Sequence, residues 1–90
     1  MDRIILQGDN FESIEQLHKF LKDKLELPDY YGENLNALWD CLTAWVDLPL
    51  VVEIQSVDLF INKLGNDASE FIQLLEEAVG EIEGFNLEIK

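Results

Sequence analysis

Side chains that could carry out chemistry are few in type: one histidine, one cysteine and many carboxylates among 90 residues. Catalysis requires a nucleophile beside a base, paired acids in a cleft, a metal site or a cofactor loop. His18 follows the core-facing Leu17 on a predicted helix, and we expect it to be a half-exposed helix residue. Cys41 lies among apolar residues, where a buried structural thiol is the usual outcome. We therefore predict that the chain is not an enzyme.

Ligand-binding motifs are also missing from the sequence. The five glycines are scattered, so there is no glycine-rich phosphate loop. No spacing of cysteine and histidine suits zinc, and no series of carboxylates follows a calcium-loop pattern. We expect no cofactor and no metal, which leaves a binding protein as the predicted class.

A carboxylate surrounded by aromatic residues distinguishes the segment 30–45. Successive residues advance by about 100° around a helix, so Asn36, Asp40 and Thr43 share one narrow stripe. This stripe is turned away from the apolar stripe that contains Leu38 and Leu42. The aromatic residues around it are Tyr30, Tyr31, Trp39 and Trp45. Aromatic residues around a central charge are common in protein-binding hot spots, although in a small domain they more often serve packing.

The charge balance indicates the kind of partner. Six basic and 19 acidic residues give a net charge of −13, which repels nucleic acid and anionic membranes and attracts basic proteins. Glu77 and Glu81 lie four residues apart on the last predicted helix, with Glu70 and Gln73 on the same side. This acidic side is either a solvated helix face or a second partner surface.

Cysteine usage and the N-terminal sequence indicate the compartment. A single cysteine cannot form an internal disulfide, which fits a reducing environment. The opening MDRIILQGD lacks the basic and long apolar regions of a secretory signal, and no apolar run approaches the ~20 residues of a membrane span. We expect a cytoplasmic protein.

The first half of the chain predicts a strand and two helices. Residues 3–6 form a short β-type run. Ser13 and Gln16 form a capping box for a helix that continues to about Leu25 and is stopped by Pro28. Asn34 is placed to cap a second helix. Its apolar stripe consists of Leu35, Leu38, Leu42 and Val46.

The second half predicts two strands around two more helices. Residues 50–54, LVVEI, are typical of a buried strand. Ser56 is expected to cap a short helix that ends at Gly65, and Asn66 or Asp67 to begin the last helix, closed by Gly84. The predicted inward residues are Val57, Phe60, Ile61 and Leu64 on the short helix, and Ala68, Phe71 or Ile72, Leu75, Val79 and Ile82 on the last. Residues 85–89 form the third strand.

The resulting order is β-α-α-β-α-α-β. Strands separated by helices favour parallel pairing through right-handed crossovers. We therefore predict an α/β fold in which a three-stranded parallel sheet packs against a layer of about four helices. The length of 90 residues suits one domain.

The stretch LELPDYYGENLNALWDCLTAWVDLPLVVE, residues 25–53, resembles the barstar family, bacterial inhibitors of the secreted ribonuclease barnase. The likeness continues weakly through residues 13–18 and through Glu77 and Ala78. It implies one barstar-like domain over residues 1–90, with the family's three-stranded parallel sheet. It also implies an inhibitor that inserts its second helix and the preceding loop into the ribonuclease active site, in a 1:1 complex.

The resemblance also assigns contact roles. Asp40 matches the family's central aspartate, which occupies a substrate-phosphate position in the enzyme. Tyr30 matches a tyrosine that packs against the catalytic histidine, and Glu77 matches an acidic residue that reaches a basic residue of the enzyme. The expected partner-binding residues are Tyr30, Tyr31, Asn34, Asn36, Trp39, Asp40, Thr43, Ala44, Trp45 and Glu77.

Three departures from the family pattern leave the choice of ribonuclease open. Asn36 stands where the family has an aspartate, and Ala44 where it has a glycine. The segment 80–84 is slightly longer, so the match of Glu81 or Glu83 is unsettled. Two alternatives to a ribonuclease inhibitor remain: an acidic interaction module or antitoxin for another basic partner, and a hydrolase that uses the glutamate cluster.

Overall fold

The computed structural model describes residues 2–90 and has the predicted order of elements. The strands are β1 (Asp2–Gln7), β2 (Leu50–Gln55) and β3 (Phe85–Ile89). The helices are α1 (Ile14–Lys24), α2 (Leu35–Ala44), α3 (Val57–Leu64) and α4 (Asn66–Glu81), and a turn of 3-10 helix occupies Gly8–Asn10. The predicted α/β class is confirmed.

The three strands form one parallel sheet in the order β1-β2-β3, with β2 in the centre. Val52 pairs with Ile4 on one side and with Leu87 on the other. Because side chains alternate along a strand, these residues face the helices, whereas Val51, Glu53 and Gln55 face the opposite side. Because β1 and β3 pair with its two edges, β2 is the most buried strand, and its first five residues are all buried.

Most of the helices bury the faces that their periodicity predicts. Ser13 begins α1 as expected: its side chain accepts a hydrogen bond from the Gln16 amide, while Gln16 Oε1 accepts one from the Glu12 amide at 2.8 Å. The core joins both sheet and helix residues. Its fully buried large side chains are Leu6, Leu17, Leu21, Leu38, Leu42, Leu50, Val52, Ile54, Phe60, Phe71 and Leu75.

Two residues predicted to point inward are exposed. Ile61 is 40% exposed and Val79 is 43% exposed. The buried positions are Ala68, Phe71, Leu75 and Ala78 on α4 and Ile82 directly after it, a regular spacing of three and four residues. Alanine at 78 therefore continues the inward stripe, and Val79 lies at its edge. On α3, Phe60 is the one buried residue, and the short helix turns Ile61 outward.

The junction between β2 and α3 also differs from the prediction. Ser56 occupies the N-cap position of α3, but its backbone is left-handed (φ 55°, ψ 47°) and its side chain makes no capping bond. A serine cap requires extended backbone, so the predicted cap is wrong. Gly8 lies against this junction. A Cβ there would come within 2.6 Å of the Ser56 carbonyl oxygen, so this corner of the fold requires a glycine.

Candidate functional site

The candidate site is built on α2, which is fixed at its first turn. Asn34 has extended backbone (φ −142°, ψ 171°), and its Oδ1 accepts a hydrogen bond from the Ala37 amide at 2.8 Å. Its Nδ2 donates to the Gly32 carbonyl at 3.2 Å. The predicted cap is thus confirmed. Leu38 and Leu42 anchor the inner face of α2 in the core.

The outer face of α2 carries the predicted polar stripe. Asn36, Asp40, Thr43 and Ala44 are all exposed. The Thr43 hydroxyl donates to the carbonyl oxygens of Trp39 and Asp40, both at 3.0 Å, so it is held against its own helix. Within residues 2–90 the Asp40 carboxylate makes neither a hydrogen bond nor an ion pair. It is a charge on a rigid helix with its bonding capacity unused.

The two tryptophans of the site differ in exposure. Trp39 is half-buried and packs against the core. Trp45, at the C-terminal end of α2, is 49% exposed, and its indole Nε1 donates to the Glu26 carbonyl at 3.0 Å. This bond ties the end of α2 to the end of α1. Trp45 therefore offers an aromatic surface whose orientation is already fixed.

The two adjacent tyrosines point in opposite directions. They belong to residues 28–33, which we call the contact loop. Tyr30 is 81% exposed, whereas Tyr31 is 6% exposed. The Tyr31 amide donates to the Pro28 carbonyl at 2.9 Å, which closes the turn that carries Tyr30. The structure thus places Tyr30 on the surface and Tyr31 in the core, although both were expected at the contact.

Tyr31 is joined to the only histidine of the sequence. The Tyr31 hydroxyl lies 2.6 Å from His18 Nδ1, and the ring centroids are 5.7 Å apart. His18 is 3% exposed, so the expectation of a half-exposed helix residue is wrong. Helical periodicity placed His18 beside the inward stripe, but the contact loop folds over it and covers it. Burial raises the pKa of Tyr31 and lowers that of His18.

The helix that carries the second group of acidic residues, α4, is in contact with α2. Glu77 is exposed on α4, as are Glu70, Glu76 and Glu81. None of the ion pairs found within residues 2–90 involves a residue of α2 or α4. The two helices together therefore present uncompensated negative charge, of which Asp40 and Glu77 are the predicted contact members.

No metal or nucleophile chemistry is visible in this arrangement. Residues 2–90 contain no group of three or more histidine, cysteine, aspartate or glutamate side chains that could hold a metal ion. Cys41 is buried as predicted, and burial raises the pKa of its thiol, which disfavours the reactive thiolate. No helix within the same residues is long and apolar enough to cross a membrane.

A charged network on the far face of the sheet was missed from the sequence. Arg3 donates to Glu53 at 2.6 Å and, through its terminal nitrogens Nη1 and Nη2, to Glu88 at 3.0 Å. Gln55 also donates to Glu53, and Gln7 donates to Gln55 at 2.9 Å. The signal was available in the run LVVEI, because a glutamate in a buried strand requires a cation or donors nearby.

The fold and this surface define a class of protein: a small α/β domain whose second helix presents an uncompensated carboxylate among aromatic residues. Comparison with known proteins identifies the class further. Residues 1–90 match the family described as Barstar (barnase inhibitor), and the chain belongs to this family. Its members are inhibitors rather than enzymes, which confirms the prediction that the chain is not an enzyme.

A curated relative supports the same assignment. Over 82 residues the chain is 50% identical to the "Putative ribonuclease inhibitor YrdF" of Bacillus subtilis (strain 168). The matched region covers 91% of this chain and 90% of the relative. The resemblance found in residues 25–53 therefore extends over almost the whole of both proteins.

Proposed function

We propose that this protein is a cytoplasmic inhibitor of a secreted, basic ribonuclease of the barnase type and binds it in a 1:1 complex. In this complex α2 and the contact loop fill the active site, and Asp40 takes the place of a substrate phosphate. The observation that carries the proposal is the Asp40 carboxylate, exposed on a capped helix and without a partner in residues 2–90. The family and the name of the relative support a ribonuclease as the target.

The physical basis is a match of charge and geometry. A ribonuclease active site binds phosphate and is therefore lined with positive charge. A carboxylate on a rigid helix offers two acceptor oxygens, which suit charge-assisted and bidentate bonds to arginine. A net charge of −13 also attracts a basic enzyme before contact, which raises the association rate.

Exposure and the bonds made within the chain divide the ten predicted contact residues into two groups. We assign direct contact to the exposed residues Tyr30, Asn36, Asp40, Thr43, Ala44, Trp45 and Glu77. We assign support to Tyr31, Asn34 and Trp39, because Tyr31 is buried, Asn34 caps α2 and Trp39 packs against the core. Since Asn36 carries no charge, the target enzyme does not need a cation opposite that position.

The proposal is tested by how well the Asp40→Asn variant inhibits a ribonuclease, because this substitution removes the charge of the side chain and keeps its shape. Truncating one member of a buried charge pair costs about 2–5 kcal/mol of binding, a range to which complexes of this same family contributed. The measurement is residual RNA cleavage by purified barnase-type ribonucleases. The parent should inhibit them, less strongly at higher salt, and Asp40→Asn should inhibit them much more weakly than the parent.

The matched control is Asp58→Asn, which removes an exposed carboxylate from α3 instead of α2. We expect Asp58→Asn to inhibit nearly as well as the parent. If Asp40→Asn inhibits as well as the control, phosphate mimicry is wrong. If the parent leaves every such ribonuclease active but still binds another basic protein, the chain is an interaction module of the same fold.

A further inference from the structure

We infer that His18 is a positioning residue for the contact loop: its hydrogen bond to Tyr31 holds Tyr30 in the orientation used for binding, and protonation of its ring weakens the complex. This inference rests on the proposed function. It concerns a residue that lies beneath the interface and does not touch the target. The step from His18 to the contact runs through a single buried bond.

The contact loop is attached to the fold at few points. Tyr30 makes no side-chain hydrogen bond within residues 2–90, so its direction is set by its neighbours. Tyr31 lies next to it and is buried, with its hydroxyl 2.6 Å from His18 Nδ1. Two longer side-chain bonds also hold the loop, from Lys22 Nζ to the Asp29 carbonyl at 3.4 Å and from Asn34 Nδ2 to the Gly32 carbonyl at 3.2 Å, while the Tyr31 amide bond to Pro28 lies within the loop itself. The bond to His18 is the shortest of the side-chain bonds to the loop, and it is made by the residue next to Tyr30.

Protonation of the imidazole conflicts with this bond. The separation of 2.6 Å is shorter than the usual range for N–H···O bonds, about 2.7–3.2 Å, and suits a hydroxyl that donates to Nδ1. In the imidazolium both ring nitrogens carry hydrogen, so Nδ1 can no longer accept. The Tyr31 hydroxyl would have to rotate and accept from Nδ1–H, and the imidazolium would remain in a site where His18 is 3% exposed, so desolvation of the cation disfavours the anchored loop.

The groups around the ring come from every element that packs there. Glu15 on α1, Glu33 in the contact loop and Asp67 on α4 favour the imidazolium, and Cys41 on α2 lies near Tyr31. Desolvation outweighs the three carboxylates and lowers the pKa of His18 below 6.5. The loop is therefore anchored at neutral pH. The anchored loop becomes progressively less favourable as the pH falls below 6.5, because the released loop takes up a proton more readily than the anchored one.

The test compares the dissociation constant of the ribonuclease complex at pH 7.5 and pH 5.5 for the parent, His18→Gln and Tyr31→Phe. Each variant loses the anchor, so at pH 7.5 both should bind about 2- to 10-fold more weakly than the parent. At pH 5.5 the dissociation constants of the parent and the two variants should become nearly equal. Uptake of one proton can change their ratio by at most about tenfold per pH unit. Groups of the enzyme that titrate contribute equally to all three and cancel in the ratio.

Two controls separate positioning from a general loss of stability. Lys22→Met also removes a bond to the contact loop but leaves the bond between His18 and Tyr31 in place, so its ratio to the parent should be the same at both pH values. Fluorescence of Trp39 and Trp45 gives the folded fraction, to which each concentration is corrected. If the His18→Gln and Tyr31→Phe ratios also stay constant with pH, the inference is wrong.

Nuclear magnetic resonance of the free protein gives a readout that does not depend on the enzyme. The amide shifts of residues 30–33 should follow the titration of the His18 ring in the parent and should not follow it in Tyr31→Phe. Absence of this coupling overturns the inference, whatever the enzyme does. If instead the coupling is present but the parent fails to bind ribonuclease at pH 7.5, the proposed function fails and the loop anchor stands.

Discussion

Two carboxylate-bearing surfaces of this molecule differ in how their charge is balanced. On the far face of the sheet, Arg3 binds Glu53 at 2.6 Å and Glu88 at 3.0 Å. On the outer face of α2, Asp40 has no cationic partner within residues 2–90. The first surface is electrostatically complete within the chain. The second is left unbalanced by the cations within these residues.

The distribution of the few basic residues explains this difference. Six basic residues cannot balance 19 acidic ones, so the fold determines which carboxylates are paired. The ion pairs within residues 2–90 use Arg3, Lys63 and Lys90, which lie on β1, on α3 and after β3. None of these pairs includes a residue of α2 or α4. The sheet network is therefore balanced within the chain, whereas the acidic residues of α2 and α4 have no cationic partner within residues 2–90.

The largest effect should come from removing one charged side chain from each surface in turn and comparing binding with stability. Asp40→Ala should lose about 2–5 kcal/mol of ribonuclease binding. Its free energy of unfolding should stay within about 0.5 kcal/mol of the parent, because the side chain is exposed and unpaired. Arg3→Met should do the opposite: lower the urea midpoint, because Glu53 stays buried without its cation, and leave inhibition unchanged. If Arg3→Met is folded but no longer inhibits the ribonuclease, the sheet surface also contributes to binding, and the two surfaces do not differ in the way described.

A smaller effect is expected where α2 begins. Asn34→Ala removes the cap that bonds Ala37, which should cost about 1 kcal/mol of unfolding free energy, within a range of about 0.5–2. Asn36→Ala is the matched control, since it removes the same amide from an exposed position two residues later. In urea denaturation the free energy of unfolding of this control should stay within about 0.5 kcal/mol of the parent. Equal losses in both variants would mean that the cap is not what fixes α2.

Local patterns in the sequence were sufficient for the elements and for the outer face of α2. The Asn34 cap depends on residues three apart, and the separation of Asp40 from Leu38 follows from helical geometry. The family resemblance added the role of Asp40, which composition and spacing could not supply.

Contacts between distant residues could not be predicted in this way. Periodicity indicates the side of α1 that carries His18, but the cover over His18 comes from Tyr31 in the loop that follows. The pairing of Arg3 with Glu53 and Glu88 joins strands that are 50 and 85 residues apart, and depends on the register of all three. The wrong predictions for Ile61 and Val79 have the same cause, because hydrophobicity alone does not show which apolar residues of a helix pack against another element.

A still smaller effect should follow from the acidic face of α4. Glu77→Gln should weaken ribonuclease binding by about 0.2–1 kcal/mol, because an exposed charge at the rim of an interface is well solvated. The loss should appear mainly in the association rate at low salt and fade as salt is added. Glu76→Gln is the control, an exposed glutamate turned about 100° away on the same helix. Stopped-flow rates that fall equally for both variants would assign the effect to net charge rather than to position 77.

The smallest effect concerns acid stability of the sheet network, where exposure of Arg3 and Glu88 to solvent weakens the interaction. The hydrogen bond from Arg3 lowers the pKa of Glu88, and bonds from Gln55 and then Arg3 lower that of Glu53. Their ordinary value is 4.5, so as the pH falls the unfolded chain takes up protons first. The network's contribution is complete above pH 4.5 and is lost as the pH falls through the lower, folded values.

Urea midpoints of the parent and Arg3→Met between pH 7 and pH 3 measure this contribution. The gap between the two proteins should be constant down to about pH 4.5 and narrow below it, since protonated Glu53 and Glu88 gain little from a guanidinium. The decline caused by His18 below pH 6.5 is common to both and cancels. Lys63→Met, which breaks the exposed pair with Glu12, should show a smaller gap throughout. A gap for Arg3→Met that stays constant to pH 3 would mean that Arg3 stabilises the sheet by packing, and that charge pairing does not distinguish the two surfaces.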